Sequence, residues 1–402
     1  RQAVVAATRR MGKGDKAQWF QMFHAYGTSG AMAPSNIMGD QPAKNWAGVA
    51  SEVFPYAPAL SDESIKAYEV KKYACSACPM ACGGHVVVAS GEYALRDHKP
   101  EYETLAGFGS MTLTGNAEAV MFAQHICNEY GVDVIAAGST VAFAMELFEK
   151  GIITTADTEG LELKWGDDHA VISLLEKMVR REGFGDVLAD GVWQAAQRIG
   201  RGAERYAVTA GKQELAMHDP RRTPVFALAY VADATPGRHT QCPAGEGAML
   251  ADVPGFPARY DGHGWAPIHA QLHHVRQVVN ATGTCSFGDM VIPEDAIANF
   301  LTHVTGEVWD EQRIQETGER IAQIRHLFSL REGMPQPKEL PIHPRALGQP
   351  PLPSGPTGGS SVDLATMLTE YYDVMGWDQA TSMPAPDRLR KLGLEQLVGS
   401  AA

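Results

Sequence analysis

The chain has 402 residues, 45% of them hydrophobic, and a formal net charge of −13. That length and apolar content suit two domains of ordinary size. The acidic balance gives no electrostatic footprint for nucleic acid or an anionic membrane, and no run reaches the apolar length of a membrane-spanning helix, so neither partner is expected.

The opening Arg1-Gln2-Ala3-Val4 lacks an initiator Met and enters in a helical pattern, which predicts that the sequence begins inside a longer polypeptide. Apolar residues at i, i+3, i+4 predict helices over 116–130, 139–150, 169–182, 186–199, 310–330 and 362–375. Strand patterns are short, 85–88 and 206–209 being the best. Segment 334–359 is dense in proline and glycine and predicts a long surface strap. A break near 202–211 separates a helix-rich first half from a second half with more loops and histidine. The expected fold is mainly α, in two helix-rich domains spanning 1–207 and 208–402.

Cys75, Cys78 and Cys82 stand in one short stretch, at spacings of three and then four. This is the spacing of an iron–sulfur site, in which a distant cysteine supplies the fourth thiolate of a [4Fe-4S] cluster. Pro79 and the Gly83-Gly84 pair predict a sharply turning exposed loop, which argues against three buried thiols. Zinc competes for such ligands, but structural zinc sites run as paired knuckles and the second pair is missing. Of the other cysteines, Cys285 is the first choice for the fourth ligand because it lies in a bend of small polar residues containing Gly283. Cys242, before a proline, is the second choice, and Cys127 reads as a small buried hydrophobe in a helix. Six cysteines with no signal-like apolar stretch fit a reducing compartment, so a cytoplasmic location is expected.

Many separate motifs, in order along essentially the whole chain, resemble the tungsten-dependent aldehyde:ferredoxin oxidoreductase family. They include Tyr26-Gly-Thr-Ser-Gly30, Pro42-Ala-Lys-Asn-Trp46, the cysteine stretch and Pro100-Glu-Tyr-Glu-Thr104. Further on come Asn128-Glu-Tyr-Gly-Val-Asp133, His218-Asp-Pro-Arg221, Ala234-Thr-Pro-Gly-Arg-His239 and Asn280-Ala-Thr-Gly-Thr-Cys285. The likeness is to the family's domains two and three, with the amino-terminal β-rich domain absent. It implies helix-rich domains of the aldehyde ferredoxin oxidoreductase type, a bis-pterin holding tungsten or molybdenum, accompanying magnesium, and a [4Fe-4S] cluster on Cys75, Cys78, Cys82 and Cys285.

The resemblance also assigns pterin-gripping loops of the pattern D-x-x-G-L-D and D-x-x-G-L-C. Here they read Asn128, Gly131, Val132, Asp133 and Asn280, Gly283, Thr284, Cys285. Both leading acids have become Asn, which keeps an acceptor but loses charge-assisted acceptance from pterin N–H groups. Glu103 and His239 match the family's acid/base pair, while the neighbouring Glu101 points away. His85, beside the cysteine loop, is placed to hydrogen-bond cluster sulfur. The implied activity is interconversion of a small aldehyde and its acid, with electrons passing to ferredoxin or an iron–sulfur partner subunit, in an oligomer. A benzoyl-CoA reductase-like catalytic subunit and a pure electron-transfer module are the rival expectations.

Overall fold

The computed structural model describes residues 2–241 and 253–397, so Cys242 lies outside the described residues. Helices dominate, as expected, and two compact units emerge, each assembled from more than one stretch of chain. One unit comprises Met22–Arg222 with Pro341–Ser361, and the other Arg1–Gln21, Thr223–Leu340 and Val362–Ala402. They are called below the first and second units.

The first unit holds an antiparallel three-stranded sheet of β1 (Glu69–Tyr73), β2 (Gly83–Val88) and β3 (Leu95–His98), in that order. Alternation along β2 turns Val86 and Val88 into a buried cluster with Met121, while His85 and Val87 on the other face are half-buried. Beneath the sheet the Lys99 ammonium pairs with Glu69 at 2.8 Å, and both side chains are buried.

After β3 come the short helix α1 (Tyr102–Leu105), a π-turn over Ala106–Ser110, and the helices α2 (Ala117–Tyr130), α3 (Val134–Glu149) and α4 (Asp168–Arg180). Asn116, Asp133 and Asp167 accept the first free N–H groups of α2, α3 and α4, which fixes where each begins. The Asp133 cap is why α3 starts ahead of the predicted 139. Helix α3 is buried almost all round, as befits the central helix of a unit. The predicted helix 186–199 is instead two, Phe184–Leu188 and Val192–Ile199, broken at Gly191, whose φ of 87° disfavours a side chain. The predicted strand 206–209 shrinks to Thr209–Ala210, because Ala203–Tyr206 forms a 3-10 turn.

The proline-rich strap is more deeply integrated than its composition suggests. Ile342 bridges to Ala210, Ala346 and Thr357 are fully buried, and Arg345 reaches the buried Glu146 carboxylate at 2.8 Å. Arg345 also donates to the Asn45 carbonyl at 2.7 Å. Asn45 lies in an uncommon run, Lys44, Asn45 and Trp46, all with positive φ (51°, 48° and 64°) and none of them glycine. Distant groups hold that run. The Asn45 amide donates to Glu146 at 2.6 Å and to the Tyr206 carbonyl, and Arg221 donates to the Trp46 carbonyl at 3.1 Å.

The second unit packs α5 (Val225–Ala232), α6 (Trp265–Ala281), α7 (Glu311–Arg331) and α8 (Leu364–Met375), with α6 touching both α7 and α8. Gly318 of α7 lies so close to α6 that a Cβ there would stand 1.9 Å from the His274 carbonyl oxygen. An apolar cluster of Ala7, Val278, Val279, Ile292, Ala296, Ile297 and Ile314 fills one end.

One backbone contact positions the centre of the first unit. A Cβ on Gly138 of α3 would fall 2.7 Å from the carbonyl carbon and oxygen of Gly107 in the π-turn. The turn following α1 therefore rests directly on the backbone of α3. Gly138→Ala is expected to force the two apart and cost about 1–3 kcal/mol, the usual range for overpacking. A denaturant midpoint equal to that of the unsubstituted chain would show that the contact is not tight.

Candidate functional site

The stretch 74–82 is the loop of the hairpin between β1 and β2, since Tyr73 pairs with Gly83. Cys75 is exposed, and Cys78 and Cys82 are half-buried. The loop turns through two left-handed alanines, Ala77 (φ 57°) and Ala81 (φ 49°), with the Cys78 N–H donating to the Cys75 carbonyl. Met80 between them is fully buried, and its carbonyl lies 2.7 Å from the His24 ring nitrogen. Gly27, at φ 69°, lets the chain approach the loop: a Cβ there would stand 2.9 Å from the Cys82 carbonyl oxygen. His85 sits on β2 opposite His98, their rings 5.3 Å apart, with the Tyr73 ring 5.0 Å from His85. Cys127 is set apart from all this. It is wholly buried in α2, and burial, with Asp133 adding to it, pushes its thiol up to about 12.

Glu103 lies on α1, its side chain 15% exposed. Oε2 accepts from the Met217 N–H at 2.9 Å, and Oε1 lies 3.7 Å from His218 Nε2. The neighbouring Glu101 is exposed and hydrogen-bonded by Thr28, as expected of residues pointing apart. His218 in turn has Nδ1 2.7 Å from Asp40 Oδ2, and its ring stacks on Tyr102 at 4.8 Å. Burial alone would lower the imidazole's proton affinity. The charge and hydrogen bond of Asp40, with the charge of Glu103, overcome that and push it up to about 8. The imidazole binds its proton more tightly folded than unfolded, so the stability it lends is complete below about pH 6.5 and lost as pH rises through about 8.

The two loops predicted to grip pterin share one geometry. Each closes a helix with a left-handed glycine, Gly131 (φ 68°) after α2 and Gly283 (φ 72°) after α6. In each the glycine N–H returns to the leading Asn carbonyl, Gly131 to Asn128 and Gly283 to Asn280. The next N–H then reaches the residue before that Asn: Val132 to Cys127 at 2.8 Å, and Thr284 to Val279 at 3.3 Å. Asn128 and Asn280 are exposed, and a Cβ at either glycine would meet nothing within 4 Å. The loops diverge at the last residue. Asp133 caps α3 through the Ala136 N–H, whereas Cys285 caps Ser286–Val291 with no side-chain bond and stands exposed.

In the second unit His239 is half-buried on the segment that follows α5. Asp233 starts that segment and accepts from the Thr235 N–H at 2.7 Å. Its carboxylate also meets His273 Nε2 at 3.1 Å and two Arg325 nitrogens at 3.0 and 3.1 Å. Burial would raise this carboxyl, but His273 and Arg325 hold it down at about 2. Gln241 joins the His239 segment to the second loop, accepting from Gln277 at its carbonyl and from Asn280 at its side chain, at 3.1 Å. His274 beside His273 is driven down to about 4 by burial.

Sequence reasoning thus named Glu103, His239, the cysteines and both loops, but gave no role to Asp40 or His218. Their signal was weak, because His218 stood only within a motif and Asp40 is 178 residues away from it.

Among the described residues no helix is long and apolar enough to cross a membrane. Residues 3–394 match the family description "Aldehyde ferredoxin oxidoreductase, domains 2 & 3". The tungsten-containing aldehyde ferredoxin oxidoreductase of Pyrococcus abyssi is 30% identical over 382 residues, 93% of this chain and 60% of that relative. The Pyrococcus horikoshii protein of the same name is 31% identical over the same shares. A Pyrococcus furiosus protein described as an aliphatic sulfonate oxidoreductase, WOR-like subunit, is 28% identical, over 81% of this chain and 51% of that one. The chain thus spans about three fifths of the tungsten-containing relatives it matches. Among solved structures, the active site complex BamBC of benzoyl coenzyme A reductase with 1,5-dienoyl-CoA shares the fold. Its TM-score is 0.69 at 21% identity, covering 90% of this chain and 59% of that one. With nearly every residue inside the family match, the chain belongs to the aldehyde ferredoxin oxidoreductase family.

Proposed function

We propose that this chain forms part of a tungsten–pterin oxidoreductase interconverting aldehydes and carboxylic acids. Electrons would pass through a [4Fe-4S] cluster to ferredoxin or an iron–sulfur partner subunit. The observation that carries the reading is the family match over residues 3–394, whose tungsten-containing relatives are named for this chemistry.

The residues present suit the groups this reading requires. Three cysteines on one hairpin loop, with Cys75 exposed and the other two half-buried, offer thiolate donors of the kind an iron–sulfur cluster takes, and Cys285 offers a fourth from an exposed bend. The paired caps leave both glycine faces open and both Asn side chains exposed, which suits gripping a planar ring at its N–H edge. An Asn carbonyl accepts there much as Asp would, without the charge.

When bound, the tungsten–pterin group supplies the two-electron redox step. Oxidising an aldehyde hydrate to its acid releases two electrons and two protons, and the protons fall to this chain. Glu103 takes one as general base, its Oε2 steadied by the Met217 N–H. His239 is the second proton carrier, on a segment anchored by the buried Asp233 carboxylate. The sheet beside the cysteine loop presents Lys71 exposed, a suitable contact for an acidic electron carrier.

Metal analysis of the purified protein tests the reading. Tungsten and pterin together with about four irons per chain are expected, and iron alone would leave an electron-transfer module. Cys285→Ser is expected to lower iron content and abolish the reduced-state EPR signal, and an unchanged cluster would remove Cys285 from the ligand set. Glu103→Gln and His239→Asn should each lower turnover by about 10²–10⁴-fold with metal and cluster retained. Near-normal turnover per bound tungsten would take the pair out of the chemistry. The assay should compare aldehydes with an aromatic CoA thioester and an alkanesulfonate, and a preference for either of the latter would overturn the aldehyde assignment.

A further inference from the structure

We propose that His218 is a positioning residue, a protonated imidazole strung between Asp40 and Glu103 that holds the Glu103 carboxylate ionised and aimed. The inference rests on the reading of Glu103 as the general base and extends it to a residue with no assigned role.

Three observations, all within the first unit, carry it. Both ring nitrogens of His218 face carboxylates, Nδ1 at 2.7 Å from Asp40 and Nε2 at 3.7 Å from Glu103. A neutral imidazole donates from one nitrogen alone, so the doubly protonated ring is the form that serves both. The ring cannot swing away, because it stacks on Tyr102 at 4.8 Å with an interplanar angle of 22°. The backbone around it is gripped from both partners: the Tyr102 hydroxyl donates to the Met217 carbonyl, the Met217 N–H donates to Glu103, and the Asp219 N–H donates to the Asp40 carbonyl.

Asp40 is itself constrained. It is nearly buried, and its Oδ2 accepts from Ser35 Oγ at 3.0 Å as well as meeting the imidazole. Within the first unit the string also neighbours Asp219, adjacent in the chain, and Arg221, which closes on the Asp219 carboxylate at 2.6–3.0 Å. That pair satisfies itself, so within the first unit Asp40 and Glu103 are the carboxylates that face the ring nitrogens of His218. The raised proton affinity, to about 8, agrees with this geometry. An imidazolium next to a carboxylate favours its ionised form, by one to three pH units for a close opposite charge.

The test has a readout independent of turnover. In protein carrying ¹³C-labelled histidine, the His218 resonance, assigned through its contact with the Tyr102 ring, should titrate near pH 8, and Asp40→Asn should lower that midpoint by at least one unit. A midpoint at or below 6.5 in the unsubstituted protein would overturn the proposal without needing any variant to fold. In the holoenzyme, His218→Gln should move the acidic limb of the kcat/KM profile up by about one pH unit, with much of the activity recovered on its alkaline side. A uniform loss at every pH, with no displaced limb, would mark a merely structural role and overturn the proposal. Glu103→Gln separates the two ideas: if it is fully active, the assignment of the base fails, whereas an inactive Glu103→Gln beside an unshifted His218→Gln profile sinks the His218 inference alone.

Discussion

Two residues without side chains hold the proposed acid/base turn in place. Gly107 and Gly138 meet backbone to backbone, so the turn that follows Glu103 rests on the central helix of the first unit with no flexible group between. Interiors packed at such density transmit displacement instead of absorbing it. Helix α3 is fixed at its start by the Asp133 cap, which belongs to the first of the two matching loops. One rigid helix therefore sets the place of both the carboxylate and the loop proposed to grip pterin. The same economy recurs in the second unit, where Gly318 brings α7 against α6, the helix that ends in the second loop.

Much of this was legible in the chain itself. Helices 116–130, 310–330 and 362–375 follow the apolar period closely because each has a capping Asn or Asp at its head, and two of the three end in a left-handed glycine. The predicted 186–199 helix failed for a local reason, a glycine at positive φ packed against Glu214, which periodicity does not register. The 206–209 strand failed because apolar alternation over four residues cannot be told from a 3-10 turn leading into a two-residue hairpin. The strap was legible as irregular chain but not as buried chain, since prolines announce the absence of regular hydrogen bonding and not exposure.

At the candidate site, sequence carried residue identities and structure carried relationships. Cysteine spacing is a local property and survives in one dimension. The string from Asp40 through His218 to Glu103 is not, for it joins three chain regions through the Met217 backbone. The two loops lie between these extremes. Their common Asn-x-x-Gly spacing is visible in sequence, but their equality as helix caps depends on carbonyls that only a folded backbone presents. Since the caps are built from main-chain bonds, the side chain at the leading position bears less on the shape of the loop than on what it offers outward.

The three left-handed residues Lys44, Asn45 and Trp46 bear on the order in which the first unit assembles. Each such conformation costs about 1–2 kcal/mol for a residue with a Cβ, and the local support is slight, two short paired strands, Pro42–Ala43 and Gly48–Val49, and the Ala47 N–H on the Lys44 carbonyl. Their partners Glu146, Arg221 and Arg345 stand 101, 175 and 300 residues along the chain from the groups they meet. The run therefore has its full set of contacts only when those partners are in place, the last of them on the returning proline-rich segment. A nascent chain that has emerged as far as residue 222 holds most of the unit's residues but not its closing arginine, so the early sequence completes its contacts only with the late one.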